Sequence, residues 1–219
     1  MEKYLKILKK SPLFQEIAED DLLRMLTCLG AKIVPFGKRQ TIMAEGSAVH
    51  TIGLLLSGSA QTVQLDYEGN RSILSGIFPS EVFAEEFACA EEPSLPISVV
   101  ASEPCEVMLL DSEHILRTCS HHCAFHRQLI YNLTRVLARK NVRFHSRAQI
   151  ISCRTTRERL MTYLLQYAKE KDSRSFDIPF DRQALADYLE VDRSGLSTEI
   201  GRLRREGVLD SHKRHFVLH

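Results

Sequence analysis

Two stretches of this chain concentrate residues able to do chemistry. The first is "VDRSGLSTEIGRLRREGVL" (191–209), in which Arg193, Ser194, Ser197 and Thr198 stand close together and Arg202, Arg204 and Arg205 follow. A guanidinium can donate two hydrogen bonds to the edge of one guanine, a pairing that discriminates against a wrong base by about 1–3 kcal/mol. Hydroxyls accept several partners and discriminate less. Arg182, Arg202, Lys213 and Arg214 suit phosphate contacts, which raise affinity without reading sequence. Arg204 and Arg205, taken one at a time, read better as solvated charges.

The second stretch is "CSHHCAFH" (119–126), with Cys119, His122, Cys123 and His126 at steps of three, one and three. On a helix all four share a face, and thiol with imidazole can ligate a soft metal or approach a haem edge. Cys89, in "VFAEEFACAEE", adds a thiol suited to a redox switch or an axial ligand. The plainer reading is the stronger one: cysteine as a small apolar packing residue, histidine as surface. Cys28, Cys105 and Cys153 also read as packing. With no CxxC pair and no zinc-finger spacing, the six cysteines read as thiols.

Charge divides the chain sharply. Residues 1–116 hold 9 Lys and Arg against 17 Asp and Glu, a net −8, while residues 117–219 hold 20 against 11, a net +9. Between Arg71 and Arg117 there are nine acidic residues and no basic one. A basic half joined to an acidic half implies a polyanionic partner for the former. No run of eighteen apolar residues occurs, and the lysines of "MEKYLKILKKSPLF" do not suit a secretory leader, so a cytoplasmic protein without membrane contact is expected. Tyr4, Leu5, Leu8 and Leu13 of that segment form a packing face.

The elements that must position these residues follow from periodicity. In 31–82, short apolar runs alternate with glycine turns. Gly46, Gly58 and Gly69 lie 12 and 11 residues apart, the spacing of an all-β sandwich or roll. "TIGLLL" and "AQTVQL" are predicted strands, "DYEGN" a hairpin turn, and "ISVVASEPCEVMLLD" supplies further strands. From Ser112 to about Ser152 no Gly or Pro interrupts the chain, and a single long helix is predicted. Leu129, Leu133, Val136 and Leu137 recur on it at helical spacing and are expected to form a dimer seam. "TTRERLMTYLLQYAKEK" opens with a Thr155–Glu158 capping box and presents Leu160, Met161, Leu164, Leu165 and Ala168 as its apolar face. Asp181 and Asp192 cap two short helices whose inner faces are Leu185, Ala186 and Leu189, then Leu196, Ile200 and Leu203. Gly207 ends the second, and "VLDSHKRHFVLH" closes as a hairpin wing, which together describe a winged helix-turn-helix.

In this order, "EGSA", "SGSA", "YEGNRSIL", "VFAEEF", "CEVMLLD" and "VDRSGLSTEIGRLRREGVL" make the chain resemble the Crp/Fnr family of bacterial transcription regulators over nearly all its length. The resemblance implies an α+β fold: a cyclic-nucleotide-binding-like β-roll (1–117), a dimerisation helix and hinge (118–150) and a winged helix-turn-helix (151–219). It places Arg193, Ser194, Ser197 and Thr198 at base-contact positions, with Ser194 where Glu is usual, Thr198 where Arg is common, and Glu190 in place of a frequent turn glycine. The implied effector pocket is Phe83, Ala84, Glu85, Glu86, Leu95 and Pro96. Ala84 and Glu85 align with the family's Gly-Glu, but Leu95 and Pro96 stand where an Arg-Ser pair clamps the cyclic nucleotide phosphate. Leucine adds no donor and proline removes one, so a neutral, apolar or cationic effector is expected rather than a cyclic nucleotide. Expected partners are duplex DNA with a two-fold symmetric site, a second copy of the chain, RNA polymerase and a small-molecule effector. No enzyme is expected, since phosphate-loop, catalytic-triad and HExxH patterns are missing. The alternative function is a haem- or metal-binding redox sensor using the Cys and His ligands.

Overall fold

The computed structural model describes residues 2–65, 71–116 and 124–219. The chain divides into two compact units, residues 1–139 and 140–219. In the first, short helical turns at Glu2–Tyr4, Leu5–Leu8 (α1) and Pro12–Phe14 precede α2 (Glu19–Cys28). Tyr4, Leu8 and Leu13 are buried, so the expected packing face forms. The strands are β1 (Lys32–Phe36), β2 (Thr41–Met43), β3 (Thr51–Ser57), β4 (Ala60–Leu65), β5 (Arg71–Ile77) and β6 (Val82–Phe83). After α3 (Glu85–Cys89) come β7 (Ser98–Ala101), β8 (Cys105–Asp111), α4 (Ser112–Leu116) and α5 (Ala124–Ser152).

The strands form two four-stranded sheets, β1-β8-β3-β6 and β2-β7-β4-β5, with antiparallel pairing throughout. Strand β3 is central in its sheet and has Ile52, Leu54 and Leu55 all fully buried. Its unbroken apolar run, in place of alternation, reflects burial on both faces. Two glycines are required by close approach. A Cβ on Gly53 would lie 2.1 Å from the Phe83 ring, and one on Gly58, whose φ is +76°, would lie 2.3 Å from the Pro104 carbonyl oxygen. The expected "DYEGN" turn (66–70) lies outside the described residues.

The helical region departs from expectation in what its apolar residues do. Leu129, Leu133 and Val136 are at most 8% exposed. They belong to the same core as Ile52, Leu54, Val107 and Met108, with Leu137 packed at its edge. Leu129, Leu133 and Val136 therefore pack α5 onto its own β-roll, which leaves these three little surface for a seam between copies. Asn132 anchors the same face, its amide donating to the carbonyls of Leu13 (3.0 Å) and Gln15 (2.7 Å). An uninterrupted helix from Ser112 is described only as α4 and α5, since 117–123 lie outside the described residues.

The second unit contains the last turns of α5, then α6 (Thr156–Lys171), β9 (Ser175–Asp177), α7 (Arg182–Leu189), α8 (Arg193–Arg205), β10 (Leu209–His212) and β11 (His215–Leu218). The capping box of α6 forms, with the Glu158 N–H donating to Thr155 Oγ1 at 3.1 Å and the Thr155 N–H to Glu158 Oε2 at 3.2 Å. Leu160 and Leu164 point inward as expected, but Leu165 is 57% exposed and Tyr163 takes the inner position. Leu185, Ala186, Leu189, Leu196, Ile200, Leu203 and Phe216 complete a separate core. The wing strands extend to β9 in the order β10-β11-β9. No helix among the described residues is long and apolar enough to cross a membrane.

Candidate nucleic-acid interface

Helix α8 is held from below and capped in front. Leu196, Ile200 and Leu203 bury its inner face, and Asp192 accepts from the Gly195 N–H at 2.8 Å. The Ser194 hydroxyl also donates to the Asp192 carboxylate, and these bonds, the hydroxyl's first, hold that carboxyl below its usual range. The outward residues at its N-terminal end are Arg193, Ser194, Gly195, Ser197 and Thr198, all exposed.

This outer face is built from small side chains. A Cβ at Gly201 would meet nothing within 4 Å, and one at Gly195 would meet only Asp192, at 3.7 Å or beyond. Neither glycine is needed by packing inside the protomer, although each weakens a helix interior by about 1 kcal/mol relative to alanine. Ser197 and Thr198 donate their hydroxyl protons to the carbonyls of Arg193 and Ser194, both at 3.0 Å. Their free lone pairs therefore face outward as acceptors. A smooth helix face carrying acceptors and one leading arginine suits the floor of a major groove.

The surrounding cations differ in freedom. Lys213 and Arg214 occupy the exposed tip of the β10–β11 hairpin. Arg202 is exposed, with Nη1 3.4 Å from Glu199 Oε2, and Arg204 faces Asp210 at 3.8 Å. Arg182 is different: it is half-buried, with its guanidinium 5.6 Å from the Phe216 ring centroid, and burial lowers its pKa. It serves the core as much as the surface. Arg157 of α6, not singled out in the sequence, ties α6 to α8 through Glu206 at 2.6 Å and Glu199 at 3.7 Å. Arg147 and Arg159 reach the turn between α7 and α8, again unforeseen. Their partners lie tens of residues away, beyond any local pattern.

The effector-pocket residues in the first unit are mostly buried. Phe83, Ala84, Leu95 and Glu85 are each at most 3% exposed, Glu86 is half-buried and Pro96 is exposed. Ala84 adopts φ +63°, the left-handed conformation that a glycine takes without strain. Leu95 donates its N–H to the Ser47 carbonyl at 3.0 Å, and its carbonyl accepts from Gly46 at 2.8 Å. That backbone donor is therefore committed within the protein.

Of the sensor residues, Cys89 and His126 lie among the described residues. His126 is buried, and its Nε2 lies 2.8 Å from the Ile115 carbonyl oxygen. Burial, and then the carboxylates of Glu85 and Glu86, push the Cys89 thiol up to about 11. Cys105 is buried, whereas Cys28 is exposed, contrary to the packing expected of it. Cys119, His122 and Cys123 lie outside the described residues. Among the described residues no group of three or more His, Cys, Asp or Glu is arranged to hold a metal.

Comparison with known proteins bears on both units. The model of the cyclic nucleotide-binding domain matches residues 33–122, and that of the Crp-like helix-turn-helix domain matches residues 158–219. No curated protein matches the chain. Among solved structures, the catabolite activator protein of Thermus thermophilus is 23% identical, with 95% of this chain and 94% of that chain covered and a TM-score of 0.55. DNR from Pseudomonas aeruginosa is 22% identical over 100% of this chain and 95% of its own, with a TM-score of 0.52. The c-di-GMP responsive global regulator CLP of Xanthomonas campestris is 14% identical over 92% and 99%, with a TM-score of 0.60. At these identities the structures show a shared fold. With the two domain models matched in succession on one chain, the protein belongs to the Crp/Fnr family of DNA-binding transcription regulators.

Proposed function

We propose that the protein is a homodimeric, sequence-specific regulator in which Arg193, Ser194, Ser197 and Thr198 read base edges. Arg202, Lys213 and Arg214 meet phosphates in this reading, with Arg182 a lesser contributor. The observation that carries it is the exposed, glycine- and hydroxyl-lined face of α8 led by Arg193. The dimer seam is reassigned to the other apolar repeat of α5. Ile130, Leu137, Phe144 and Ile151 recur every seven residues, with Thr134, Asn141 and Ala148 in step between them. That repeat supports a left-handed coiled coil with a second copy. Phe144 is 65% exposed in the isolated protomer, and Thr134, Asn141 and Ala148 are exposed as well. RNA polymerase is a further partner in this reading, and the cytoplasm its compartment.

The signal in this reading is not a cyclic nucleotide. Leu95 supplies no charge where a phosphate would sit and its N–H is already bonded to Ser47, while Glu85 of the same predicted pocket is buried. The pocket suits a neutral, apolar or cationic effector. Selection from a randomised duplex pool tests the DNA-binding role. Wild-type protein is expected to enrich an inverted repeat with half-sites about one helical turn apart. A pool that shows no enrichment, or enriches an unpaired single site, contradicts it.

A further inference from the structure

Glu190 closes α7 with φ +54°, a left-handed conformation in which glycine is the unstrained occupant. Two arginines from other helices hold it there. Arg159 of α6 donates from Nη1 to the carbonyls of Leu189 (3.0 Å) and Glu190 (2.9 Å), both at the end of α7. Its Nε donates to the Cys153 carbonyl, just beyond α5, at 3.0 Å. Arg147, on α5 itself, places Nη2 3.6 Å from Glu190 Oε1 and its guanidinium 5.4 Å from the ring centroid of Tyr188. The turn continues through the Val191 N–H bond to Ala186 (3.0 Å) directly into Asp192, the cap of α8. The direction of α8 therefore depends on a turn held by Arg159 of α6 and by Arg147 near the C-terminal end of α5.

We propose that Arg147 and Arg159 are positioning residues for base recognition, fixing the α7–α8 turn and making the reading of sequence dependent on the last turns of α5. The proposal rests on the DNA-reading role above. Arg159 spends its donors on backbone carbonyls, and the half-exposed Arg147–Glu190 pair adds little to stability by itself. Its effect appears in selectivity. Arginine is required at 159 because a planar fork can serve two carbonyls and Nε a third, which an ammonium cannot match.

The test compares wild type, Arg147→Gln, Arg159→Lys, Glu190→Gly and the double variant Arg147→Gln/Glu190→Gly. Each is titrated with the duplex that wild type enriches and with a scrambled duplex, across a salt series. Arg147→Gln is expected to lower affinity for the enriched duplex about three- to tenfold, the coupling typical of residues in contact. Affinity for the scrambled duplex, the salt slope and the melting temperature stay as in wild type. Glycine at 190, which needs no partner to hold φ > 0, restores selectivity in the double variant. Arg159→Lys is expected to lose selectivity more severely. Equal losses on both duplexes with a shallower salt slope would make these arginines phosphate contacts and overturn the positioning role. Unchanged selectivity in both arginine variants, Arg147→Gln and Arg159→Lys, would overturn it too. A wild type that does not prefer its enriched duplex overturns the DNA-reading assignment itself, and the positioning role falls with it.

Discussion

At the scale of single residues, the thiols show how environment sets chemistry. Cys89 lies against Glu85 and Glu86 in the pocket helix and its pKa is raised to about 11, whereas Cys28 is exposed on α2. A thiolate is the reactive form, so alkylation with iodoacetamide at pH 8, followed by peptide mass mapping, is expected to label Cys28 at least about ten times faster than Cys89. The same displacement has a stability consequence. A folded-state pKa above the ordinary thiol value of 9.0 contributes stability that is complete below that value and is lost as pH rises through about 11. Unfolding titrations between those limits should therefore fall more steeply for wild type than for Cys89→Ala. Asp181 makes a different single-residue contribution, accepting from the Ala184 N–H at 2.8 Å as the cap of α7. Asp181→Ala is expected to cost about 1 kcal/mol of stability in thermal unfolding.

At the scale of elements, α5 and α8 each have one buried and one exposed face. Leu133 is 2% exposed inside the core of its own unit, whereas Phe144 is 65% exposed. Leu133→Ala is expected to destabilise the protomer by about 2–5 kcal/mol. Phe144→Glu should leave the protomer folded and weaken the proposed dimer, as read by sedimentation. In α8, Gly201→Ala should raise stability by up to about 1 kcal/mol, since no atom obstructs the added methyl. The same change is expected to weaken duplex binding by crowding the groove. The caps, the turns at Gly46 and Gly58, the strands "TIGLLL" and "AQTVQL" and the two-helix motif were legible in the sequence because each follows from local chemistry or short periodicity. Which apolar face of α5 turns to the β-roll was not, because two overlapping helical repeats, one through Leu129 and Leu133 and one through Ile130 and Phe144, look alike without the partner surface. Arg147 and Arg159 were hidden for a related reason, since their carbonyl and carboxylate partners are distant in the chain. Arg182 matched the pattern of a surface cation, yet Phe216 draws its guanidinium against the core.

At the scale of the whole molecule, charge and sensor chemistry belong to different parts of the chain. The net −8 of residues 1–116 and +9 of residues 117–219 confine any polyanion to the latter. Duplex affinity should fall steeply with salt, with the slope reduced by about 0.9 for each phosphate contact removed, as by Lys213→Ala. Cyclic AMP, lacking a cation to meet its phosphate at Leu95 and Pro96, should leave the melting temperature unchanged, whereas the true effector raises it. The central claim is that the tip of α8 reads bases while the surrounding cations supply affinity. It is tested most directly by titrating wild type and Arg193→Ala with the enriched duplex and with single-base-pair variants of it at fixed salt. A loss of about 1–3 kcal/mol on the enriched duplex, with discrimination relaxed at one position of each half-site, is the predicted result. An equal loss on every duplex, with discrimination intact, would contradict it.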